Sequence, residues 1–382
     1  MPSAREIYIP TEVLIFIAQA IDQDTEHYLE QQGNLYNFCL VSRQWYSAGI
    51  AFLYRFPHLH AGDSFAKFTN TVCPPVKTKS KNDLGSLVHV LHLHLLTYHS
   101  SKSLTARLLN RVRMNLAIFT APKISFAVNS LSALSKCRNL VVLDLSLVMT
   151  PIEFSKIKKA ISHLDKLECL RLPVSTHLTN PDVASEWPNT LSRLEVGGTF
   201  DLDAMPSFSW PPALMSIHFQ GCHDLNTPVL EAILQNPQLA ASLKHLIIHR
   251  ANRFILKDFE TDIIYRLPNL ISLKIPVDLL EYLLILPPPD FLPPLPLMEL
   301  ELTAQYYGGP IEINISEALL HALSHNLPRL CALGLSSESF PLFQDHHDKI
   351  DELVWKHADK CPDEALDDLE DLGIYMLHRE PI

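Results

Sequence analysis

The sequence predicts an α/β solenoid that is preceded by a helical module at the N-terminus and closed by a helical acidic cap at the C-terminus. Three observations lead to this fold class. A leucine pattern repeats through the middle of the chain, helical patterns flank it on both sides, and the acidic surplus lies at the end. Residues 345–382 carry twelve Asp or Glu and four Lys or Arg, a net charge of −8 out of −11 for all 382 residues.

Residues 5–57 have the pattern of three short helices. The stretch Ile9-Pro10-Thr11-Glu12-Val13-Leu14 favours a helix start, because it places a proline early and an acidic residue in the first turn. Apolar residues continue this helix to Ile21, and a polar stretch follows from Asp22 to Asn34. Ser42 can cap a last helix, which begins just before Trp45.

These segments resemble an F-box, whose pattern is L-P-x-E-[LIV]-L, then L-V-C-[RK]-x-W, then a closing L-W-R. The corresponding stretches here are Ile9-Pro10-Thr11-Glu12-Val13-Leu14, Leu40-Val41-Ser42-Arg43-Gln44-Trp45 and Leu53-Tyr54-Arg55. The chain departs from the pattern by Ile for the first Leu, Ser for Cys and Tyr for the second Trp. A plain helical cap of a solenoid is the alternative, but it needs none of these spacings.

The resemblance implies docking on the Skp adaptor, and through the adaptor on a cullin. The residues that would form the adaptor-binding surface are Pro10, Val13, Leu14, Ile17, Leu40, Val41 and Trp45. We expect residues 58–86, which include a basic and proline-containing stretch, to form a linker.

Residues 87–340 carry a repeat of the form L-x-x-L-x-L. The motif begins at positions 140, 167, 191, 214, 243, 270, 297 and 330, with a weaker copy at 88. The gap between 88 and 140 is two repeats long, which predicts a degenerate repeat around Ile124-Ser125-Phe126. Strand motifs at steps of 23 to 33 residues, with helical patterns between them, are typical of leucine-rich repeats. Asn or Cys usually follows three residues after the last Leu, and only Cys222 fits this position.

The middle position of each L-x-L points away from the two leucines, because side chains alternate across a strand. We therefore expect these positions to form an exposed concave face that binds a protein target. We also expect that reversing charges on this face leaves the stability of the protein nearly unchanged. The alternative is an ordinary solvated sheet face. The predicted target-binding residues are His92, Asp144, Arg171, Glu195, His218, Ile247, Lys274 and Glu301.

Residues 341–382 form the predicted acidic cap. Ile350, Leu353, Val354 and Ala358 keep helical spacing, as do Leu366, Leu369 and Leu372. We expect a polar-faced helical cap over the last repeat. An acidic arm that binds a basic partner is the alternative.

Composition excludes several classes of function. The acidic chain lacks the clustered Lys and Arg that nucleic-acid binding needs. It has no apolar stretch near the ~20 residues of a membrane helix, and its start lacks an apolar signal core. The seven widely spaced Cys indicate reduced thiols, so we expect a protein of the cytoplasm and/or the nucleus that binds neither nucleic acid nor membrane.

Motifs for catalysis and for cofactors are absent from the sequence. It contains no glycine-rich phosphate loop, no G-x-S-x-G and no H-E-x-x-H. His92 and His94 share one strand face but have no third ligand type nearby, so we expect no metal there. The sequence thus predicts a protein that is not an enzyme and that needs no cofactor.

The two resemblances together imply a substrate receptor of Skp–cullin–F-box ubiquitin ligases, one that is similar to divergent fungal members. Such a receptor would present a protein target for ubiquitin transfer and proteasomal degradation. Two alternatives stay open: a non-degradative scaffold that still binds the adaptor, and an interaction module unrelated to ubiquitin. A hydrolase with unrecognised motifs is a fourth hypothesis for the function, and the absence of a nucleophile motif disfavours it.

Overall fold

A computed structural model describes most of the chain, and the described residues form two compact units. The first unit comprises residues 1–150 and 159–167, and the second comprises 151–158 and 168–382. The described residues are 9–24, 28–59, 62–74, 83–96, 102–179, 185–252, 263–280, 283, 294–305, 315–362, 369 and 371–377.

Three helices open the first unit: α1 (Thr11–Asp22), α2 (Tyr28–Leu40) and α3 (Arg43–Arg55). The capping role predicted for Ser42 is confirmed, because its hydroxyl accepts the Trp45 N–H at the start of α3. The helices pack around a small core that includes Leu14, Ala18, Leu35, Phe38 and Ala48.

The expected linker contains ordered structure in its described part. Helix α4 (Gly62–Val72) lies within it and buries Phe65, Phe68 and Val72. A 3-10 turn at Leu84–Leu87 follows, and the N–H of His89 bonds to the Arg55 carbonyl at 3.0 Å. The first unit therefore continues past the boundary expected at residue 57, because apolar side chains of this segment join its core.

The rest of the first unit alternates strands and helices, with three parallel strands in chain order: β1 (Val90–His92), α5 (Lys102–Val112), β2 (Ile118–Thr120), α6 (Val128–Leu134) and β3 (Val142–Asp144). The degenerate repeat expected around Ile124–Phe126 instead lies at β2. Its pattern, Leu116-x-x-Phe119-x-Ala121, is fully buried but uses Phe and Ala in two of the leucine positions, so the leucine template does not detect it.

The second unit is built on parallel strands with helices between some of them. Helix α7 (Phe154–Ile161) contributes residues to both units. The other elements are β4 (Cys169–Arg171), β5 (His177–Leu178), β6 (Arg193–Phe200), β7 (Ser216–Cys222), α8 (Thr227–Leu234), α9 (Pro237–Ser242), β8 (His245–Ile248), β9 (Ser272–Pro276), β10 (Glu299–Thr303), α10 (Ile315–His325), β11 (Ala332–Leu335), α11 (His347–Ala358) and β12 (Gly373–Met376). The strands pair in the order β4, β6, β7, β8, β9, β10, β11 and β12, with β5 beside β6.

Every one of the eight strong leucine motifs falls on a strand, β3 in the first unit and seven strands in the second. The apolar positions of these motifs are 0–2% exposed. The middle residues point away from this core, as the two-residue period of a strand requires. The predicted α/β class is therefore confirmed, and the strands pair in parallel.

The C-terminal segment adds a strand as well as a helix. Helix α11 buries Ile350, Val354 and Ala358, as their spacing predicts. Beyond it, β12 pairs in parallel with β11, so the end of the sheet is not capped by helix alone. Leu372 directly precedes this strand, whereas Leu366 lies outside the described residues. Among the helices that the structure describes, none is long and apolar enough to cross a lipid bilayer.

Asn252 lies four residues after Ile248, the last apolar residue of its strand motif, one residue beyond the position at which the pattern expects asparagine. It is 1% exposed, and its Oδ1 accepts the N–H of Cys222 at 3.0 Å. Its Nδ2 donates to the carbonyls of Phe219 and His249 at 2.7 and 2.8 Å. Its side chain thus bonds to three backbone groups and is the acceptor for the buried N–H of Cys222.

We expect Asn252→Ala to lower the free energy of unfolding by about 1–3 kcal/mol. The substitution leaves the buried N–H of Cys222 without its acceptor and removes one of the two hydrogen bonds at each of the carbonyls of Phe219 and His249. Urea unfolding of the two proteins measures this difference. The matched control is Asn226→Ala, which removes a helix cap on α8 and should cost only about 1 kcal/mol. Equal losses in the two variants would contradict the proposed role of Asn252.

Candidate functional site

Helices α1–α3 expose many apolar side chains, which we call the apolar helix face. In α1 the exposed fractions are 44% for Val13, 69% for Phe16 and 38% for Ile17. Tyr36, Leu40, Val41 and Tyr46 are 43–64% exposed. Ile15 of α1 is also exposed, at 40%. The name apolar helix face is kept for the other seven residues: Val13, Phe16, Ile17, Tyr36, Leu40, Val41 and Tyr46.

Hydrogen bonds join the starts of α1 and α3. Gln44, in the first turn of α3, donates its Nε2 to the carbonyl of Ile9 at 2.9 Å and to Thr11 Oγ1 at 3.1 Å. These bonds bring the start of α1 next to the junction of α2 and α3, where Leu40 and Val41 lie. Exposed Pro10 therefore lies at the same end of the helical module as that junction.

The structure separates the seven predicted adaptor-binding residues into surface and core. Pro10, Val13, Ile17, Leu40 and Val41 are exposed, as expected for a contact surface. Leu14 is instead completely buried, because the inner side of α1 is formed by positions 14 and 18. Trp45 is half-buried, and its ring lies 4.6 Å from that of Phe38 against the core.

Sequence reasoning missed Phe16, Tyr36 and Tyr46 on this face. A signal for Phe16 was present, because α1 contains the uninterrupted apolar run Val13-Leu14-Ile15-Phe16-Ile17. A helix with 3.6 residues per turn cannot turn five successive residues inwards. Such a run therefore predicts apolar residues on the outer side as well.

The middle positions of the strands in the second unit form a continuous row, which we call the middle row. In the register of the sheet, each residue of the row lies directly beside the next one on the neighbouring strand. The side chains face away from the leucine core, and most are half-buried. The row consists of Arg171, Glu195, His218, Ile247, Lys274 and Glu301.

Charges in the middle row pair with one another. Arg171 Nε lies 3.2 Å and His218 Nδ1 lies 3.4 Å from Glu195 Oε2. Lys274 Nζ lies 2.9 Å from Glu301 Oε2, and these two side chains are only 17% and 19% exposed. The expectation of isolated exposed charges is therefore wrong for Lys274, while the Arg171 side chain is 49% exposed.

Tyr375 of β12 closes one end of the middle row. Its hydroxyl lies 3.1 Å from one carboxylate oxygen each of Glu299 and Glu301. Gly334 leaves room for the Tyr375 side chain, because a Cβ at position 334 would lie 2.9 Å from the Tyr375 ring and hydroxyl. Burial and the two carboxylates raise the pKa of Tyr375, so its hydroxyl stays protonated and can donate.

In the first unit, the corresponding positions are His92, Thr120 and Asp144, which lie side by side on β1, β2 and β3. His92 Nδ1 lies 2.8 Å from Thr120 Oγ1, and its ring packs edge-on to Phe56 at 5.3 Å. Burial lowers the pKa of His92, with a further contribution from His94. Within the described residues, no group of three or more His, Cys, Asp or Glu side chains could hold a metal ion.

Comparison with known proteins identifies two fungal relatives. F-box protein YDR306C of Saccharomyces cerevisiae is 29% identical over 242 residues, which cover 63% of this chain and 49% of that protein. Protein pof5 of Schizosaccharomyces pombe is 28% identical over 249 residues, covering 64% of this chain and 67% of pof5. The chain thus matches about half the length of the first relative and two thirds of the second.

No family model matches the chain. Among solved structures, the crystal structure of the Rad7 and Elc1 complex in yeast covers 86% of this chain and 84% of the matched chain, at 14% identity and a TM-score of 0.35. A similarity of that degree supports no conclusion about fold or function. The two sequence matches confirm the resemblance that the N-terminal motifs predict: the chain is similar to fungal F-box proteins.

Proposed function

We propose that this chain is the substrate-recognition subunit of a Skp–cullin–F-box ubiquitin ligase. In this proposal α1–α3 are the F-box, and the strands with their connecting segments are irregular leucine-rich repeats. The apolar helix face binds the Skp adaptor, and the adaptor connects the chain to a cullin. The middle row, with His92 and Asp144 in the first unit, binds a protein target.

The observation that carries the adaptor half of the proposal is the exposure of Val13, Phe16 and Ile17 on one short helix. Contiguous exposed apolar surface in a folded protein usually marks a binding site. Large apolar and aromatic side chains are also the residues that contribute most binding free energy at protein interfaces. Leu40 and Val41, beside the start of α1, add to this surface.

The target half rests on the chemistry of the middle row. The row combines charged, imidazole and apolar side chains on a surface built by successive strands, and such solenoid surfaces commonly bind proteins. Because most of its charges pair internally, we propose that a target is recognised mainly by shape and by hydrogen bonds at this row. Arg171, the most exposed charged member of the row, is the best candidate for a direct ionic contact.

In this proposal the chain itself is not an enzyme. It increases the rate of ubiquitin transfer by holding the target close to the ligase, which raises the effective concentration of the reacting groups. This role requires no cofactor, and we propose that it takes place in the cytoplasm and/or the nucleus.

The test is adaptor binding by a double variant of the apolar helix face. We expect Phe16→Asp with Ile17→Asp to weaken binding of a purified Skp adaptor by about 100-fold, because two carboxylates would be buried in an apolar interface. Calorimetric titration measures the affinity, and circular dichroism checks that both proteins are folded.

The matched control is Met114→Asp, since Met114 is an apolar residue of the first unit that is 56% exposed and lies outside α1–α3. This variant should bind the adaptor as the unmodified chain does. Absence of adaptor binding by the unmodified chain would refute the proposal, and so would full binding by the double variant.

A further inference from the structure

The second unit contains a pocket that the proposed function does not use. It has a volume of about 490 Å³, within the range of small-molecule sites. Its lining comes from α7 and from the segments that precede strands β6, β7 and β8, and it includes no residue of the middle row. The lining residues include Lys158, Glu186, Trp187, Ser209, Trp210 and Gln238.

Lys158 is a buried cation on this pocket. The residue is only 4% exposed, and its Nζ lies 5.1 Å from the centre of the Trp187 ring. It makes no ion pair or hydrogen bond with any residue in the described part of the chain. The Nζ keeps some contact with solvent in the open pocket, but an ammonium that is partly desolvated and lacks an anionic partner is less stable than one in water. The aromatic ring compensates for only a part of this cost. Burial accordingly lowers the pKa of Lys158.

A second buried donor lacks an acceptor in the same lining. Trp210 is 1% exposed, and its Nε1 has no hydrogen-bond partner among the described residues. Trp187 differs, because its Nε1 donates to the Ser209 carbonyl at 2.6 Å. Buried donors are rarely left without an acceptor. Because the Trp210 Nε1 has almost no accessible surface toward the pocket, the polar group that a ligand could contact is the ammonium of Lys158.

The walls of the pocket are held in place by packing and by a hydrogen bond. The Trp210 ring lies 4.7 Å from Phe208, and the Trp187 ring lies 5.7 Å from Phe154. Gln238 Nε2 donates to the Trp210 carbonyl at 3.0 Å. A ligand would therefore enter a preformed site, which reduces the entropy that binding must overcome.

We propose that this pocket binds a small organic carboxylate, with the anionic group against Lys158 and the apolar body against the two indole rings. One ammonium matches one negative charge. A phosphate monoester carries nearly two negative charges and would leave an uncompensated charge near Glu186, which is exposed in the same lining. The site does not depend on adaptor binding or on the middle row.

Hexanoate is a suitable probe, because it combines one carboxylate with an apolar chain. We expect saturable changes in tryptophan fluorescence when the full chain is titrated with hexanoate, since two of its four Trp residues line the pocket. Hexan-1-ol, which has the same chain without the charge, should bind at least about tenfold more weakly. Inorganic phosphate should give no saturable change.

Matched variants assign the response to Lys158. Lys158→Met should weaken hexanoate binding by about tenfold or more, whereas Lys156→Met, at an exposed residue of α7, should leave it unchanged. Glu186→Gln should bind hexanoate more tightly, because it removes a charge of the same sign as the ligand. This variant tests the proposal independently if Lys158→Met does not fold. No saturable hexanoate response, an equal response to hexan-1-ol, or equal binding by Lys158→Met and Lys156→Met would overturn the proposal.

Discussion

Replacing Lys274 with glutamate is expected to lower the free energy of unfolding by about 3–5 kcal/mol, whereas Arg171→Glu should lower it by only about 1 kcal/mol or less. The two residues have the same charge and equivalent positions on their strands. They differ in environment, because the side chains of Lys274 and Glu301 are 17% and 19% exposed and lie 2.9 Å apart. The Arg171 side chain is 49% exposed, so solvent screens its interaction with Glu195.

The expected loss at Lys274 has two physical sources. The substitution removes the cation that compensates Glu301, and it places a third carboxylate near Glu299 and Glu301, which already share the Tyr375 hydroxyl. A partly buried carboxylate without its partner is much more costly than an exposed one. The loss should therefore exceed that of a simple truncation.

Urea unfolding of four proteins measures these differences: the unmodified chain, Lys274→Glu, Lys274→Met and Arg171→Glu. Lys274→Met keeps the aliphatic stem and adds no charge, so we expect an intermediate loss. Similar unfolding midpoints for Lys274→Glu and Arg171→Glu would show that Lys274 is effectively exposed. If the expected order is found, Arg171→Glu is the better variant for testing target binding, because it changes the surface without unfolding the protein.

The strands could be predicted from the sequence because their signal is local and repeated. Two leucines separated by one residue must share a strand face, and the spacing of eight such motifs fixes where each strand lies. The pattern fails where another residue type serves the same purpose. At β2, Phe119 and Ala121 fill the leucine positions and are as buried as leucines elsewhere.

Side-chain partners across strands could not be predicted in the same way. The pairing of Lys274 with Glu301 depends on the register of β9 with β10, which joins residues 27 positions apart in the chain. The contact of Tyr375 with Glu299 and Glu301 spans more than seventy residues, and it requires the space that Gly334 leaves. Such contacts follow from the assembled sheet rather than from local spacing.

The division between surface and core in α1 was also hidden in the sequence, because five successive apolar residues give no clear helical stripe. Packing against α2 and α3 selects Leu14 and Ala18 as the inner residues. Val13, Phe16 and Ile17 are then left outside, where the proposed adaptor contact needs them. The F-box resemblance assigned Leu14 to the contact, and the structure assigns it to the core beneath.

Leu14→Ala is therefore expected to lower the stability of the three-helix module by about 2–5 kcal/mol, the usual cost of truncating a fully buried leucine. Phe16→Ala, at a side chain that is 69% exposed, should change stability by no more than about 0.5 kcal/mol. Hydrogen exchange of the amides in α1–α3 measures this module separately from the rest of the chain. Protection should fall strongly in Leu14→Ala and remain nearly unchanged in Phe16→Ala.

Among folded molecules, adaptor affinity should instead be lowered by Phe16→Ala and not by Leu14→Ala. Phe16→Ala should weaken binding directly, by about tenfold or more, because it removes a large apolar contact without loosening the helices. Leu14→Ala should weaken binding only as far as it unfolds the module, so its affinity should recover under conditions that restore amide protection, such as added osmolyte. If Leu14→Ala kept full protection but lost adaptor binding, Leu14 would be a contact residue and the packing of α1 described above would be wrong.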